Sequence, residues 1–405
     1  MQVTVSADAT TQPFAPNRLS PMRFVLTFGL ISGLGDFVYE GARSITGPFL
    51  ATFGASAALV GFVTGAGEAV ALVFRFWSGA LSDRSGRHWA ISIAGYALTM
   101  VSVPLMAAAW TLWPAAVLVI SERFGKAVRT PARDTMLAQA SVDMGRGRAF
   151  ALHEALDQSG ALIGPLLVAG AIAVLGTLRW GFAVLAVPAA GAMAVLLYLR
   201  VRVPRPAEFE RSAEPVQGAR AGRARLPGRY WLYAAYTAVN MAGFATWGVL
   251  AFHLQARHVV SLSLIAVMYA LAMGLAAVGA LASGWLYDRV GLRGLVIVPV
   301  LTAAVPFLSF STTALVAWLG AAAWGLGLGV HESTMRAAVA DLVPVARRGT
   351  GYGTFTAIYG LAWLAGSVAI GAAYAHSVGA AQLYVLLTQI VAIGLFVPLA
   401  TAGSG

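Results

Sequence analysis

The sequence predicts an all-α membrane protein with twelve transmembrane helices in two six-helix halves. Three observations carry this reading. Apolar runs of about 20 residues recur from Phe24 to Leu399, each long enough for a hydrocarbon core of about 30 Å. A ten-residue pattern, Gly79-Ala-Leu81-Ser-Asp83-Arg84-Ser-Gly86-Arg87-His88, returns as Gly284-Trp-Leu286-Tyr-Asp288-Arg289-Val-Gly291-Leu-Arg293. Basic residues gather in every second loop. Composition agrees: 59% of residues are hydrophobic and 11% charged, against roughly 45–50% and 25% in soluble domains.

In chain order, spans are expected at 22–47, 57–82, 88–109, 113–138, 149–174 and 179–200, then at 229–254, 262–287, 293–311, 314–340, 350–375 and 380–401. Lipid leaves no partner for open backbone polar groups, so each span must be helical. A polar tail (1–20) precedes the first bundle (21–200), and a linker (201–228) leads to the second (229–401). Pro204, Pro206, Pro215 and Pro227 make a long helix in that linker unfavourable.

The net charge of +11 is placed as topology, not as a nucleic-acid surface. Arg200, Arg202, Arg205, Arg211, Arg220, Arg223, Arg225 and Arg229 crowd the linker, while the intervening loops hold little beyond Arg179 and Arg257. The positive-inside rule then puts both termini and the linker in the cytoplasm, with the bundle in a bacterial inner membrane. Residues 1–20 lack the apolar core of a signal peptide. Cysteine is absent, excluding disulfides, thiolate metal sites and cysteine nucleophiles. Six scattered histidines give a metal centre little to build on.

The motif Gly-x-Leu-x-Asp-Arg-x-Gly-Arg between spans two and three, echoed between eight and nine, resembles motif A of the major facilitator superfamily. The resemblance covers residues 20–401. It implies a secondary transporter working by alternating access at the interface of the halves, without ATP hydrolysis or a cofactor. No Gly-x4-Gly-Lys-Ser/Thr string argues otherwise. The partners it implies are membrane lipid, a small solute and H+, with the chain acting as a monomer and not as an enzyme.

Within the motif, Gly79 and Gly284 permit close helix approach, and Gly86 and Gly291 permit the positive φ of a tight turn. Asp83, Arg84, Arg87, Asp288, Arg289 and Arg293 fit a cytoplasmic gate that forms and breaks between halves; the competing role is loop anchoring and topology. Arg133 and Asp134, with Asp341 at the corresponding end of span ten, are expected as partners of the motif loop.

Charges within spans are costly and direct attention to function. Asp36, Glu40 and Arg43 share a face of span one at i, i+4 and i+7. Glu122, Lys126, Arg129 and Arg133 form the equivalent stripe on span four, while Arg123 lies about 100° off it. Lys126 is the sole lysine beside 26 arginines; genome composition explains that, and so does a need for an amine able to titrate. Glu154 and Asp157 on span five, Glu68 and Arg75 on span two, and Glu332 and Arg336 on span ten complete the set. Asn240, alone in apolar span seven, needs a hydrogen-bond partner and is a polar candidate for the substrate cavity.

Two roles fit these groups. A buried carboxylate beside a cation can load and release a proton as a cavity opens and closes, with Asp36, Glu40 and Asp157 as candidates. Alternatively, Asp36–Lys126 or Glu40–Arg129 pairs hold spans one and four together. The mixed charge suits a zwitterion, or an anion moved with a proton, better than a bare cation. Aromatic residues on span seven (Trp231, Tyr233, Tyr236, Trp247) and span eleven (Tyr352, Tyr359, Trp363) fit packing or substrate stacking. Gly160-x3-Gly164-Pro165 on span five resembles the core of the motif of proton-coupled exporters and favours efflux; a simple kink explains it too. Uptake by symport of an anionic or zwitterionic metabolite is the alternative. A transporter-fold sensor or scaffold is the reading from a different class.

Overall fold

The computed structural model describes residues 19–141, 146–209, 226–344 and 347–401. Tail residues 1–18, linker residues 210–225 and the side chains of Arg146, Arg336 and Arg348 lie outside that description. Among the described residues every regular element is helical. The N-terminal group is α1 (Pro21–Thr52), α2 (Ala57–Ser85), α3 (His88–Leu105), α4 (Leu112–Ala140), α5 (Arg146–Leu175), α6 (Leu178–Ala183) and α7 (Ala186–Arg202). The C-terminal group is α8 (Gly228–Ala242), α9 (Trp247–Ala256), α10 (Leu262–Val290), α11 (Ile297–Ser309), α12 (Ala314–Glu332), α13 (Thr334–Leu342), α14 (Arg348–His376) and α15 (Val378–Thr401).

Each expected span coincides with one helix or two consecutive ones. Among the described residues, nine helical stretches are long and apolar enough to cross a membrane on those grounds alone. Helix α4 is not among them because its charged stripe lowers its hydropathy, the seventh expected span is broken at 243–246 between α8 and α9, and the eighth and ninth run together as Leu262–Ser309.

Local chemistry sets the helix ends. Ser20, Ser56 and Ser261 cap α1, α2 and α10 by accepting from the backbone N–H three residues on. Gly86 and Gly291 end α2 and α10 at φ of 62° and 61°, the positive φ expected of the repeated motif; Gly86 is a left-handed cap with ψ of 6°, whereas Gly291 has ψ of −145°. Proline inside a helix frees the carbonyl four residues back, and two such carbonyls find partners on other helices. Pro131 frees Ala127, which accepts from the Ser78 hydroxyl of α2 at 2.7 Å. Pro48 frees Ser44, which accepts from the Trp247 indole of α9 at 3.0 Å.

Within the N-terminal group α1 packs on α5 and α7, and α4 on α2 and α3; within the C-terminal group α12 packs on α10 and α11, and α8 on α14 and α15. The groups meet through α2 with α14, α5 with α10, and α1 with α9. Glycine makes the α1–α5 contact possible. A Cβ added at Gly160 would overlap the Gly33 carbonyl, and one at Gly164 the Phe37 carbonyl. Gly160→Leu is therefore expected to cost at least the ~1–3 kcal/mol of an overpacked core. The melting temperature of purified protein should fall by several degrees; an unchanged value would show that α1 and α5 can separate freely. A Cβ added at Gly79 would meet Pro131 of α4 at an ordinary 3.5 Å, and one at Gly284 would meet nothing within 4 Å. The close helix approach expected of these two glycines is therefore not what either copy requires.

Candidate functional site

The two charged stripes meet each other directly, and Asp36, Glu40, Arg43, Lys126 and Arg133 from them line one wall of a cavity of about 300 Å3 between the helix groups. Its deep end is walled by Arg43, Glu68 and Trp363, all buried, and its other end by the exposed Glu154 and Glu332. The cavity therefore opens toward the motif loops after α2 and α10. It is closed at the opposite end, where Gly47 meets Gly248, Gly61 meets Ser367 and Gly371 meets Ala57 at backbone distance.

Charges along the cavity are paired in a chain. Asp36, 6% exposed, takes Arg129 at 3.4 Å and Lys126 at 3.9 Å. Lys126 also donates to the Tyr39 hydroxyl. Deeper, Arg43 binds Glu68 at 2.8 Å and Glu40 at 3.6 Å; Arg123 binds Glu68 and Glu122, each at 3.3 Å. Toward the mouth, Arg133 lies 4.0 Å from Asp157 and 2.9 Å from Asp134. Five cations (Arg43, Arg123, Lys126, Arg129, Arg133) thus stand against five buried carboxylates (Asp36, Glu40, Glu68, Glu122, Asp157). Neutralisation of this kind is what makes so many buried charges tolerable.

Helix α1 is the seam between the groups. Glu40 accepts from the Tyr269 hydroxyl of α10. The Arg43 guanidinium lies 5.9 Å from the Trp324 ring of α12 and 5.8 Å from the Trp363 ring of α14, within cation–π range of both. Ser44 adds its bond to Trp247. Rings also support the cations inside the N-terminal group: Tyr39 under Lys126 and Arg123, and Tyr96 under Arg129.

Several sequence expectations need correction. Arg129 pairs with Asp36, not Glu40: Asp36 lies between Lys126 and Arg129, within reach of both, while Glu40 is one turn deeper and accepts from Tyr269. Arg123, placed off the stripe by its helical angle, turns toward α2 and bridges Glu68 to Glu122. Glu122 lines a separate void of about 20 Å3 beyond the charged floor, on the closed side, and not the main cavity. Asn240 is fully buried away from the cavity, donating to Gln389 of α15 at 2.8 Å. Arg133 and Asp134 line the cavity and bind each other instead of the motif loop.

The motif residues are equally informative. Asp83, Arg84, Arg87, Asp288 and Arg289 are exposed, and among the described residues none forms an ion pair between the helix groups. Arg289 lies over the Trp285 ring at 3.8 Å, and Arg293 donates to the Ala400 carbonyl. The Asp341 carboxylate accepts from Tyr287 of the second motif copy at 2.6 Å, as a motif partner should. Tyr233 and Tyr236 of α8 donate to backbone carbonyls within the C-terminal group, while Trp231 faces outward. Trp363 and Tyr359 do line the cavity.

A multi-pass helical membrane protein with a charged cavity between two helix groups has the architecture of secondary transporters. A family model described as Major Facilitator Superfamily matches residues 31–367, and the chain belongs to that superfamily. It is 46% identical over 393 residues to the Mycobacterium tuberculosis protein Rv2265, covering 96% of this chain and 95% of that one. It is 31% identical over 147 residues to the Proteus mirabilis multidrug resistance protein MdtH, about a third of each chain. Among solved structures, the peptide transporter POT in complex with sulfate shares the fold. Its TM-score is 0.72 and its identity 15%, covering 95% of this chain and 96% of that one.

Proposed function

We propose that the protein is a proton-coupled exporter of a small organic solute. In this reading it crosses the membrane twelve times, with both termini and the 201–228 linker in the cytoplasm, and rocks between halves 21–200 and 229–401. The observation that carries it is the buried Asp36 carboxylate shared between Lys126 and Arg129 on a cavity wall. Protonation of Asp36 releases both cations; Glu40, one turn along α1, and Arg43, two turns along, touch the other helix group through Tyr269 and through the Trp324 and Trp363 rings. A proton arriving at Asp36 thereby reaches the seam between the halves.

The cavity opens on the face this topology calls cytoplasmic, the side from which an exporter loads. Gly160, Gly164 and Pro165 on α5 and the partial similarity to MdtH support export over uptake. The balance of cations and carboxylates favours a zwitterion as cargo, and this also fits uptake by symport.

Reconstitution tests the reading. Proteoliposomes under an imposed pH gradient are offered fluorescent drug cations, aromatic amino acids and dipeptides. At least one solute should move against its gradient, and a protonophore should stop it. If no solute in the panel responds to the gradient, the transporter reading gives way to that of a sensor or scaffold in a transporter fold.

A further inference from the structure

The scattered histidines gave a metal centre little support in the sequence, yet α5 brings one into a ligand set. His153, Glu154 and Asp157 each offer a ligand atom, and these atoms lie within 4.8 Å of one another. Spacing explains it: residues i and i+4 stack on one helix face, with i+1 close beside. All three side chains line the cavity near its mouth.

An independent observation concerns Asp157 itself. The residue is 9% exposed, and its Oδ1 is buried without a hydrogen-bond partner. The nearest cation, Arg133, stands 4.0 Å from the other oxygen, Oδ2, and is held there by Asp134 through Nε and by Ser32 through NH1. A buried, unpartnered carboxylate oxygen is costly, and a cation is one occupant that would satisfy it.

The neighbouring groups are arranged as supports for a ligand set. The Ser32 hydroxyl engages His153 Nε2 at 2.8 Å, fixing the ring and leaving Nδ1 free. Metal-bound histidines characteristically use the second nitrogen in such a contact. The Gln158 amide donates to Glu154 Oε1 at 2.9 Å, leaving Oε2 free.

We propose that His153, Glu154 and Asp157 bind a divalent first-row transition-metal ion at the cavity mouth. One imidazole nitrogen with two carboxylates suits Mn2+, Co2+ or Zn2+ and disfavours Ca2+ and Mg2+, which take oxygen alone. Ligand atoms at about 2.1 Å from a metal lie about 3–4 Å from one another. Rotation of the exposed Glu154 side chain supplies the small closure needed. Arg133, 4.0 Å from Asp157, repels a bound cation and lowers the affinity.

The test is equilibrium binding of the metal alone to purified, tag-free protein in detergent, so its outcome does not depend on transport. Titration with MnCl2 or ZnCl2, and the visible absorption of bound Co2+, should report one saturable site. Glu154→Gln, at an exposed position that leaves the fold intact, should weaken binding by about 10-fold or more, as should His153→Ala and Asp157→Asn. Absence of saturation below 1 mM, taken as roughly the ceiling for a built site, would overturn the proposal. So would unchanged affinity in Glu154→Gln and His153→Ala variants whose melting temperatures match the parent.

Discussion

Asp36→Asn is expected to reduce pH-driven solute flux in proteoliposomes to that of protein-free liposomes, while solute exchange at equal pH stays measurable. Asparagine keeps the shape of the side chain and can still accept from Arg129, now 3.4 Å away. It cannot exchange a proton, and it leaves Lys126 and Arg129 without their shared counter-charge. Breaking a buried pair costs about 3–5 kcal/mol, so a loss of flux alone does not separate coupling from folding. The double variant Asp36→Asn/Lys126→Ala separates them. Removing one of the two stranded cations should recover part of the thermal stability, since the buried Arg129 stays without its counter-charge, but not pH-driven flux. Recovery of both would make the Asp36–Lys126 pair a structural staple between α1 and α4. Full pH-driven flux in Asp36→Asn would place proton binding elsewhere.

The stripes that build this site were legible because a helix converts spacing into direction. Asp36, Glu40 and Arg43, like Lys126, Arg129 and Arg133, recur at intervals of three and four, and a charged stripe in an apolar span must face protein or water. Which charge meets which was not legible. Arg129 chooses Asp36 over Glu40 through the axial offset of α1 against α4, and no periodicity within one helix records an offset between two. Arg123 and Glu68 were noted but not joined, because their pairing depends on α2 lying against α4. The Tyr269 and Trp324 partners of α1 belong to the other helix group and are ordinary apolar-helix residues in sequence.

Isolated polar residues were the least readable. Asn240 had to find a partner, and the sequence pointed to a cavity because nothing nearby could serve. Gln389, 149 positions away, serves instead. His153 drew no attention as one of six scattered histidines; its neighbours Glu154 and Asp157 were weighed as proton carriers rather than as ligands around it. The helix ends read more directly: glycine at positions 86 and 291 announced the positive φ that both positions adopt.

A cysteine pair at Thr64 and Thr246 is expected to lock the protein in the conformation described here. The chain has no cysteine, so the pair would be the sole route to a disulfide. Thr64 of α2 and Thr246, the residue preceding α9, share a hydrogen bond between their hydroxyls at 2.8 Å, spanning the two helix groups at the closed end. That separation puts the Cβ atoms near the roughly 3.5–4.5 Å a disulfide requires. Oxidation should join the halves, so that cutting an engineered protease site in the linker leaves one band until reductant is added. Flux should stop on oxidation and return on reduction, with each single-cysteine variant unaffected. The reason lies in what holds that end shut. The Thr64–Thr246 and Trp247–Ser44 hydrogen bonds are each worth only about 1 kcal/mol net, weak enough to break in every cycle. A covalent bond at the same place is not. Undiminished flux from fully cross-linked protein would mean that this end never opens, and transport through the Asp36 cavity would need another exit.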